Sequence, residues 1–331
     1  MTRRLLLLVF VLVGVSLLTF TLGNLVPTDP ARAALGFDAT PDMVRQYRRE
    51  MGLDKSAVVR YAVYLKNVLR GDLGVSIMTR RPVLDDLKNV VPATVELTLV
   101  SLVISVVVGA CLGIIGATRR GSTADLLSTV VPLTQLSAPV FVFGLLLLLI
   151  FYRHLGWLPY GGRIGPGLTA PAPITGLYLV DSLLRGDLAA FRSSAIHLVL
   201  PAATLCNLTL AEMTRFTRSA FLQVLGEDYV RTARSKGVAE RGVIWRHALR
   251  NAAIPVVTVV GLRLGFLLGG AVVTETIYAW PGLGRYAWEG ARNADLNVVM
   301  GVTLVVALLY SIVNLGVDVT CAYLDPRVRL R

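Results

Sequence analysis

The chain has 331 residues, of which 54% are hydrophobic and only 16% charged; its mean hydropathy is +0.65 and its formal net charge +12. That balance excludes a soluble globular domain, and several apolar runs reach the roughly 20 residues that a helix needs to cross the hydrocarbon core. The expectation is an all-α integral membrane protein with six transmembrane helices. The chain lacks the G-x-x-x-x-G-K-[ST], H-E-x-x-H and G-x-S-x-G patterns, so it offers no P-loop, no zincin site and no nucleophile elbow. The basic excess reads as cytoplasmic arginine rather than nucleic-acid binding. Cys111, Cys206 and Cys321 lie in or beside apolar runs without a C-x-x-C pair, and His154, His197 and His247 are scattered. Neither set suggests a metal.

In chain order, residues 5–25 form the first span. It follows Arg3 and Arg4 like a signal peptide, but the apolar run is too long for one. We read residues 1–25 as an uncleaved signal anchor with its N-terminus inside, despite the Ala31-Arg32-Ala33 triplet. Residues 26–92 read as an extracytoplasmic helical segment. There Thr40 caps a helix that has Pro41 at its first position and ends at Gly52. A second helix carries an apolar face through Val58, Val59, Ala62, Tyr64, Leu65, Val68 and Leu69 and closes at Gly71.

Residues 93–322 are expected to hold the five-helix core, with spans at 93–117, 126–152, 195–213, 254–274 and 297–322. The fourth carries the weakest apolar signal. Residues 323–331 form a tail with Arg327, Arg329 and Arg331. Arginine clusters at the N-terminal tip, at 119–120, in the 228–253 segment and in the tail put both termini and that segment in the cytoplasm.

Polar residues punctuate the spans. Arg263, in the fifth, is too costly to face lipid. It either lines a pathway or pairs with Glu96, Glu212 or Asp318; both readings stand open. Gly261, Gly265 and Gly269 recur every four residues, a stripe that lets backbones approach, with packing the main reading and gating at the same seam the other. Gln135, Ser137 and Pro139 are expected to kink the third span and satisfy the freed carbonyls locally, substrate contact by Gln135 or Ser137 being the alternative. Asn207, Asn314 and Asp318 read as helix-to-helix contacts. Tyr278, Trp280, Tyr286 and Trp288 read as an aromatic belt or, alternatively, as a contact for an outer partner.

The segment DYVRTARSKGVAERGVIWRHALRNAAIP, residues 228–255, stands apart. Arg231, Arg234, Lys236, Arg241, Arg246 and Arg250 face only Asp228 and Glu240. Asp228 suits a helix N-terminus, and two short helices should meet near Gly237 or Gly242. The small residues Val230, Ala233 and Gly237 share one face, which suggests close docking on another protein. Val243, Ile244, Trp245, Ala248, Leu249 and Ala252 form a second amphipathic run leading to Pro255.

This segment resembles the cytoplasmic coupling segment of ATP-binding-cassette (ABC) importer permeases, of the dipeptide/oligopeptide family, B-type subunit, which carry DYVRTARAKGL…W/FRHALRNA…P. The broader importer motif is E-A-A-x3-G-x9-I-x-L-P. Aligned on Gly237, Arg231 replaces its Glu and is followed by Thr232 and Ala233. His247 replaces the Ile, Leu249 is kept, and Arg250 stands at the Pro, with Pro255 later. That departure is the form of the peptide subfamily. GDLGVS, VPATVELTL, HLVLPA, ETIYAWPGLGRYAWEGARNADLNVV and YLDPRVR extend the resemblance along the chain.

The resemblance implies the type I importer permease fold. It also implies a heteromeric complex in a prokaryotic cytoplasmic membrane: a second permease, two ATPase domains that bind ATP and Mg, and an extracytoplasmic solute-binding protein delivering di- or oligopeptide. It assigns Asp228, Tyr229, Arg231, Thr232, Ala233, Arg234, Lys236 and Gly237 to coupling with the ATPase, and no catalytic site or cofactor to this chain. Nickel, glutathione or another small solute is the alternative cargo. The remote alternatives are a membrane enzyme built on Glu212, Arg263 and His197, for which no nucleophile–base spacing is evident, and a scaffold with no ATPase partner.

Overall fold

The computed structural model describes residues 2–25, 30–35, 39–50, 52–137 and 139–324. Among them the only β pairing is an isolated bridge between Val75 and Pro82, and the rest is helix and turn. The chain divides into two compact units, Met1–Thr94 with Pro281–Ser311, and Val95–Trp280 with Ile312–Arg331.

The first unit holds α1 (Thr2–Leu25), α2 (Pro30–Leu35), α3 (Pro41–Glu50), α4 (Ala57–Leu69), the start of α5 (Val83–Thr118), α13 (Leu283–Arg292) and the start of α14 (Leu296–Leu324). Only 11% of the apolar window of α1 is buried. An all-round apolar surface left uncovered by the chain is what a lipid-facing helix presents. The caps of α3 and α4 fall where the sequence places them. Met43 N–H donates to Thr40 Oγ1 (3.4 Å), and Gly52 and Gly71 take φ of +62° and +81°. The expected apolar face of α4 is helical but not buried in this chain: Val58 and Leu69 are 79% and 81% exposed.

The core of this unit is Val83, Leu87, Leu283, Tyr286, Val298 and Val302. Two buried carboxylates organise its polar edge. Asp295 accepts from Ser76 Oγ (2.7 Å) and Ile77 N–H (2.6 Å), and its other oxygen caps α14 through Val298 N–H (3.3 Å). Asp86 accepts from Tyr286 Oη (2.9 Å) and Thr79 Oγ1 (2.6 Å).

The second unit continues α5 and adds α6 (Thr123–Ser137), α7 (Val140–Leu147), a π-helical turn (Leu148–His154), α8 (Tyr178–Arg185), α9 (Leu188–Leu225), α10 (Asp228–Ser235), α11 (Glu240–Gly242), a second π turn (Val243–Ala248), α12 (Leu249–Ile277) and the end of α14. Among the described residues five helices are long and apolar enough to cross a bilayer, and the shorter apolar helix Val140–His154 falls in the remaining expected span. The third span is therefore broken rather than kinked. α6 ends at Ser137, and α7 starts after an extended Pro139 (φ −57°, ψ 138°). The side chains of Gln135 and Ser137 lie outside the described residues.

Several boundaries shift. α5 starts at Val83 rather than at 93 and runs through Pro92; its 36 residues span about 54 Å. α9 spans Leu188–Leu225 rather than 195–213. Asp187 caps it, accepting from Ala190 N–H (2.9 Å), directly after Gly186 closes α8 at φ +69°. Of the apolar window of α9, 67% is buried. Its weak apolar signal has this cause: a helix packed against protein on most sides can keep Thr204, Asn207, Thr209, Thr214 and Thr217, all buried. α5 approaches it closely. A Cβ on Gly113 would lie 2.7 Å from Thr214 O, and one on Gly109 would lie 2.8 Å from Met213 Cβ.

Candidate functional site

α10 is a two-turn helix whose end is set by backbone chemistry. Gly237 N–H donates to Arg234 O (2.9 Å) and Val238 N–H to Ala233 O (3.2 Å). This is the paired-bond termination that needs a left-handed residue, and Gly237 supplies it at φ +77°. The two short helices thus meet at Gly237, one of the two expected points. Across the turn Arg234 grips Glu240 with two bonds, Nε to Oε2 (3.1 Å) and Nη2 to Oε1 (2.7 Å). Those bonds, more than the partial burial that opposes them, hold the Glu240 carboxyl below its ordinary value and raise the Arg234 guanidinium.

The small face of α10 is corrected by the structure. Val230 is fully buried and Ala233 is 7% exposed; both pack with Val243, Val224 and Leu225 of the same chain. The face expected to meet a partner already binds α10 to the end of α9 and to the π turn before α12. Asn251 Nδ2 adds a bond to Tyr229 Oη (2.9 Å). The outward surface is instead Asp228, Tyr229, Arg231, Thr232, Arg234, Ser235, Lys236 and Gly237. All six basic residues of the segment are exposed. Among the described residues Arg231 has only the 3.5 Å contact with Asp228, and Lys236, Arg241, Arg246 and Arg250 make no ion pair. The second amphipathic run does not stop at Pro255, because α12 continues through it.

Higher in the same unit, Arg263 of α12 meets Glu212 of α9, Nη1 to Oε2 at 2.8 Å, in an ion pair that lacks hydrogen-bond alignment. The side chains are 31% and 22% exposed. The pairing reading of Arg263 is therefore realised, with Glu212 as partner. Glu96 belongs elsewhere: its Oε2 takes Arg163 Nη2 at 2.5 Å and its Oε1 takes Leu179 N–H at 2.7 Å. The Arg163 guanidinium also lies 3.6 Å from the Tyr178 ring centroid and donates to Gly176 O (2.9 Å). The Asp318 side chain lies outside the described residues. His197, buried and held by Ser193 O (2.7 Å), is 15 residues from Glu212 on the same helix, about 22 Å along its axis. The three residues of the enzyme alternative are not brought together.

The glycine stripe divides. A Cβ on Gly261 would collide with Val317 of α14; Gly265 is buried; a Cβ on Gly269 would meet nothing within 4 Å among the described residues. Packing within the chain accounts for the first of the three. Asn207, buried on α9, leaves both amide atoms without a partner among the described residues, as do the Thr209 and Thr217 hydroxyls. The aromatic belt is also corrected. Tyr278 and Trp280 are fully buried and Tyr286 nearly so, while Trp288 is 54% exposed. Tyr278 Oη donates to Gly144 O (3.0 Å), which leaves Thr204 Oγ1 (2.8 Å) to donate to it. Sequence reasoning missed a further ion pair: Asp125 takes two bonds from Arg218, 2.7 and 3.1 Å, and one from Gly121 N–H (3.0 Å). It fastens the 119–122 turn to α9.

Comparison with known proteins matches this chain along its length. The family model for binding-protein-dependent transport system inner membrane components covers residues 109–330, and the model for the N-terminal part of such components covers residues 1–98. The dipeptide transport system permease protein of Alkalihalophilus pseudofirmus is 41% identical over 99% of this chain and 98% of that protein. The probable D,D-dipeptide transport system permease protein of Escherichia coli is 42% identical over 97% of this chain and 94% of that protein. Among solved structures, the inward-facing MetNI methionine ABC transporter matches with a TM-score of 0.52 at 16% identity, over 70% of this chain and 93% of that one, a likeness of fold. A multi-pass helical chain with a basic helix between two long spans, matched from end to end in this way, belongs to the family of binding-protein-dependent transport system inner membrane components.

Proposed function

We propose that this chain is the permease subunit of an ATP-driven importer that moves di- and oligopeptides across the cytoplasmic membrane. In this reading a solute-binding protein delivers the peptide, a second permease completes the pathway, and two ATPase domains holding ATP and Mg supply the work. The observation that carries the cargo is the 41–42% identity, over nearly the full length of both chains, to two permeases named for dipeptides. In this reading the termini and α10 lie on the cytoplasmic side, which the arginine distribution supports.

The mechanism rests on how α10 is fastened. Its inner face packs on the end of α9, and its Tyr229 bonds Asn251 of α12. A groove on an ATPase that grips Tyr229, Arg231, Thr232 and Lys236 would move both long helices together. Those same helices carry the Glu212–Arg263 pair and the unpartnered Asn207 amide. A displacement of α10 therefore reaches the polar seam between α9 and α12, a two-state element biased from the ATPase side.

The test is uptake of labelled dipeptide into proteoliposomes holding the complete complex, its binding protein and ATP. Stoichiometric co-purification of ATPase subunits is expected. Saturable, ATP-dependent dipeptide uptake supports the cargo; uptake of nickel or glutathione without dipeptide would replace it.

A further inference from the structure

The first unit holds a cavity of about 350 Å³ between the C-terminal end of α1, helix α4, the 72–77 turn and the N-terminal end of α14. α1 and α14 are both long and apolar enough to cross a bilayer, and the cavity lies at the end of one and the start of the other, where two such spans would reach the headgroups whichever way the chain is oriented. Lys55 and Arg60 line it, and neither makes an ion pair among the described residues. Arg60 lies 5.7 Å from the centroid of Phe20, a third lining residue. Tyr64 also lines it, and its hydroxyl is buried without a partner among the described residues. One carboxylate lines the cavity too. Asp72 spends one oxygen on Gly74 N–H (2.9 Å) and keeps the other.

We infer that this cavity binds the phosphoethanolamine headgroup of a membrane phospholipid. Two unpaired cations and a free hydroxyl donor suit a phosphate diester; the single free carboxylate oxygen suits an ammonium group that still carries its protons. Burial, with Tyr61 adding to it, pushes the Tyr64 hydroxyl up to about 12, so it remains a donor at neutral pH. A buried hydroxyl without a partner is costly, and a phosphate oxygen would satisfy it. The acyl chains have a place as well, since α1 leaves nearly all of its apolar window uncovered.

The test uses the full complex in mild detergent, equilibrated with phosphatidylethanolamine, phosphatidylcholine or diacylglycerol, with bound lipid read by native mass spectrometry. Phosphatidylethanolamine is expected to be retained in preference to phosphatidylcholine, and diacylglycerol not at all. Tyr64→Phe should lower retention about tenfold, the loss of one hydrogen bond to a charged group, without lowering the melting temperature, because the hydroxyl has no partner among the described residues. Arg60→Gln should weaken both phospholipids, and Asp72→Asn should remove the preference between them. Retention by Tyr64→Phe and Arg60→Gln equal to wild type would overturn the site. Displacement by soluble glycerophosphoethanolamine at the same concentration as lipid would overturn the membrane source.

Discussion

Gly237 separates two explanations for a coupling segment, because the strain of its backbone and the room around it can be varied independently. Its φ of +77° is left-handed, and any Cβ there costs about 1–2 kcal/mol. A Cβ on Gly237 meets no heavy atom of the described residues within 4 Å. Alanine and tryptophan should therefore cost the isolated chain the same, about a tenfold shift in the population of the ordered turn at the middle of that range. The rest of α10 stays in place through Val230, Ala233 and the Arg234–Glu240 bonds. Gly237→Ala is expected to reduce ATP-driven uptake severalfold. Gly237→Trp should abolish it, because the indole projects into space that only a partner can fill. Both should insert and melt alike in detergent, and Gly237→Asn, which tolerates the left-handed region, should lie near wild type. The assay is uptake and ATP hydrolysis in proteoliposomes, with the melting temperature as control. Equal uptake by the alanine and tryptophan variants would refute a partner at this turn.

Arg263→Gln and Glu212→Gln should each destabilise the chain by about 1–3 kcal/mol, below the figure for a fully buried pair because both side chains are partly exposed. The double variant should lose less than the sum, and additive melting shifts would dissolve the pair. Gly113→Ala places a Cβ 2.7 Å from Thr214 O, so α5 and α9 must separate; an overpacking cost of about 1–3 kcal/mol is expected, read by thermal unfolding, and an unchanged melting temperature would contradict the close approach. Asp181, fully buried, is pushed up by burial but held below its ordinary value by the Thr175 N–H and hydroxyl and the Ile174 and Gly176 N–H groups. A depressed carboxyl stabilises above its unfolded pKa and loses that contribution as pH falls through the folded value. Hydrogen exchange at 174–176 should thus stay slow from neutral pH down to about pH 4, the unfolded aspartate range, and accelerate only below it; acceleration already at pH 6 would exclude this carboxylate as the anchor.

Much of the molecule was legible because local physics carries it. α1 leaves nearly all of its apolar window unburied by the rest of the chain, so hydropathy alone reads its span. Thr40–Pro41 and Gly52 bound α3 by capping chemistry confined to a few residues. Gly237 ends α10 for the same reason. α9 read weakly because hydropathy measures what faces lipid, and this helix faces protein. Pro139 signalled a disturbance, but whether it kinks or breaks a span depends on what packs beside it.

A polytopic helical membrane chain with a basic helix between two spans follows from the residues alone, since side-chain transfer energy and helix capping act within one segment. Which face of α10 is free, and which acid each arginine meets, comes from the packed fold: Glu96 for Arg163, Asp125 for Arg218, Glu212 for Arg263. Those partners lie 67, 93 and 51 residues apart, and an ion pair depends on distance in space, to which spacing along the chain is no guide.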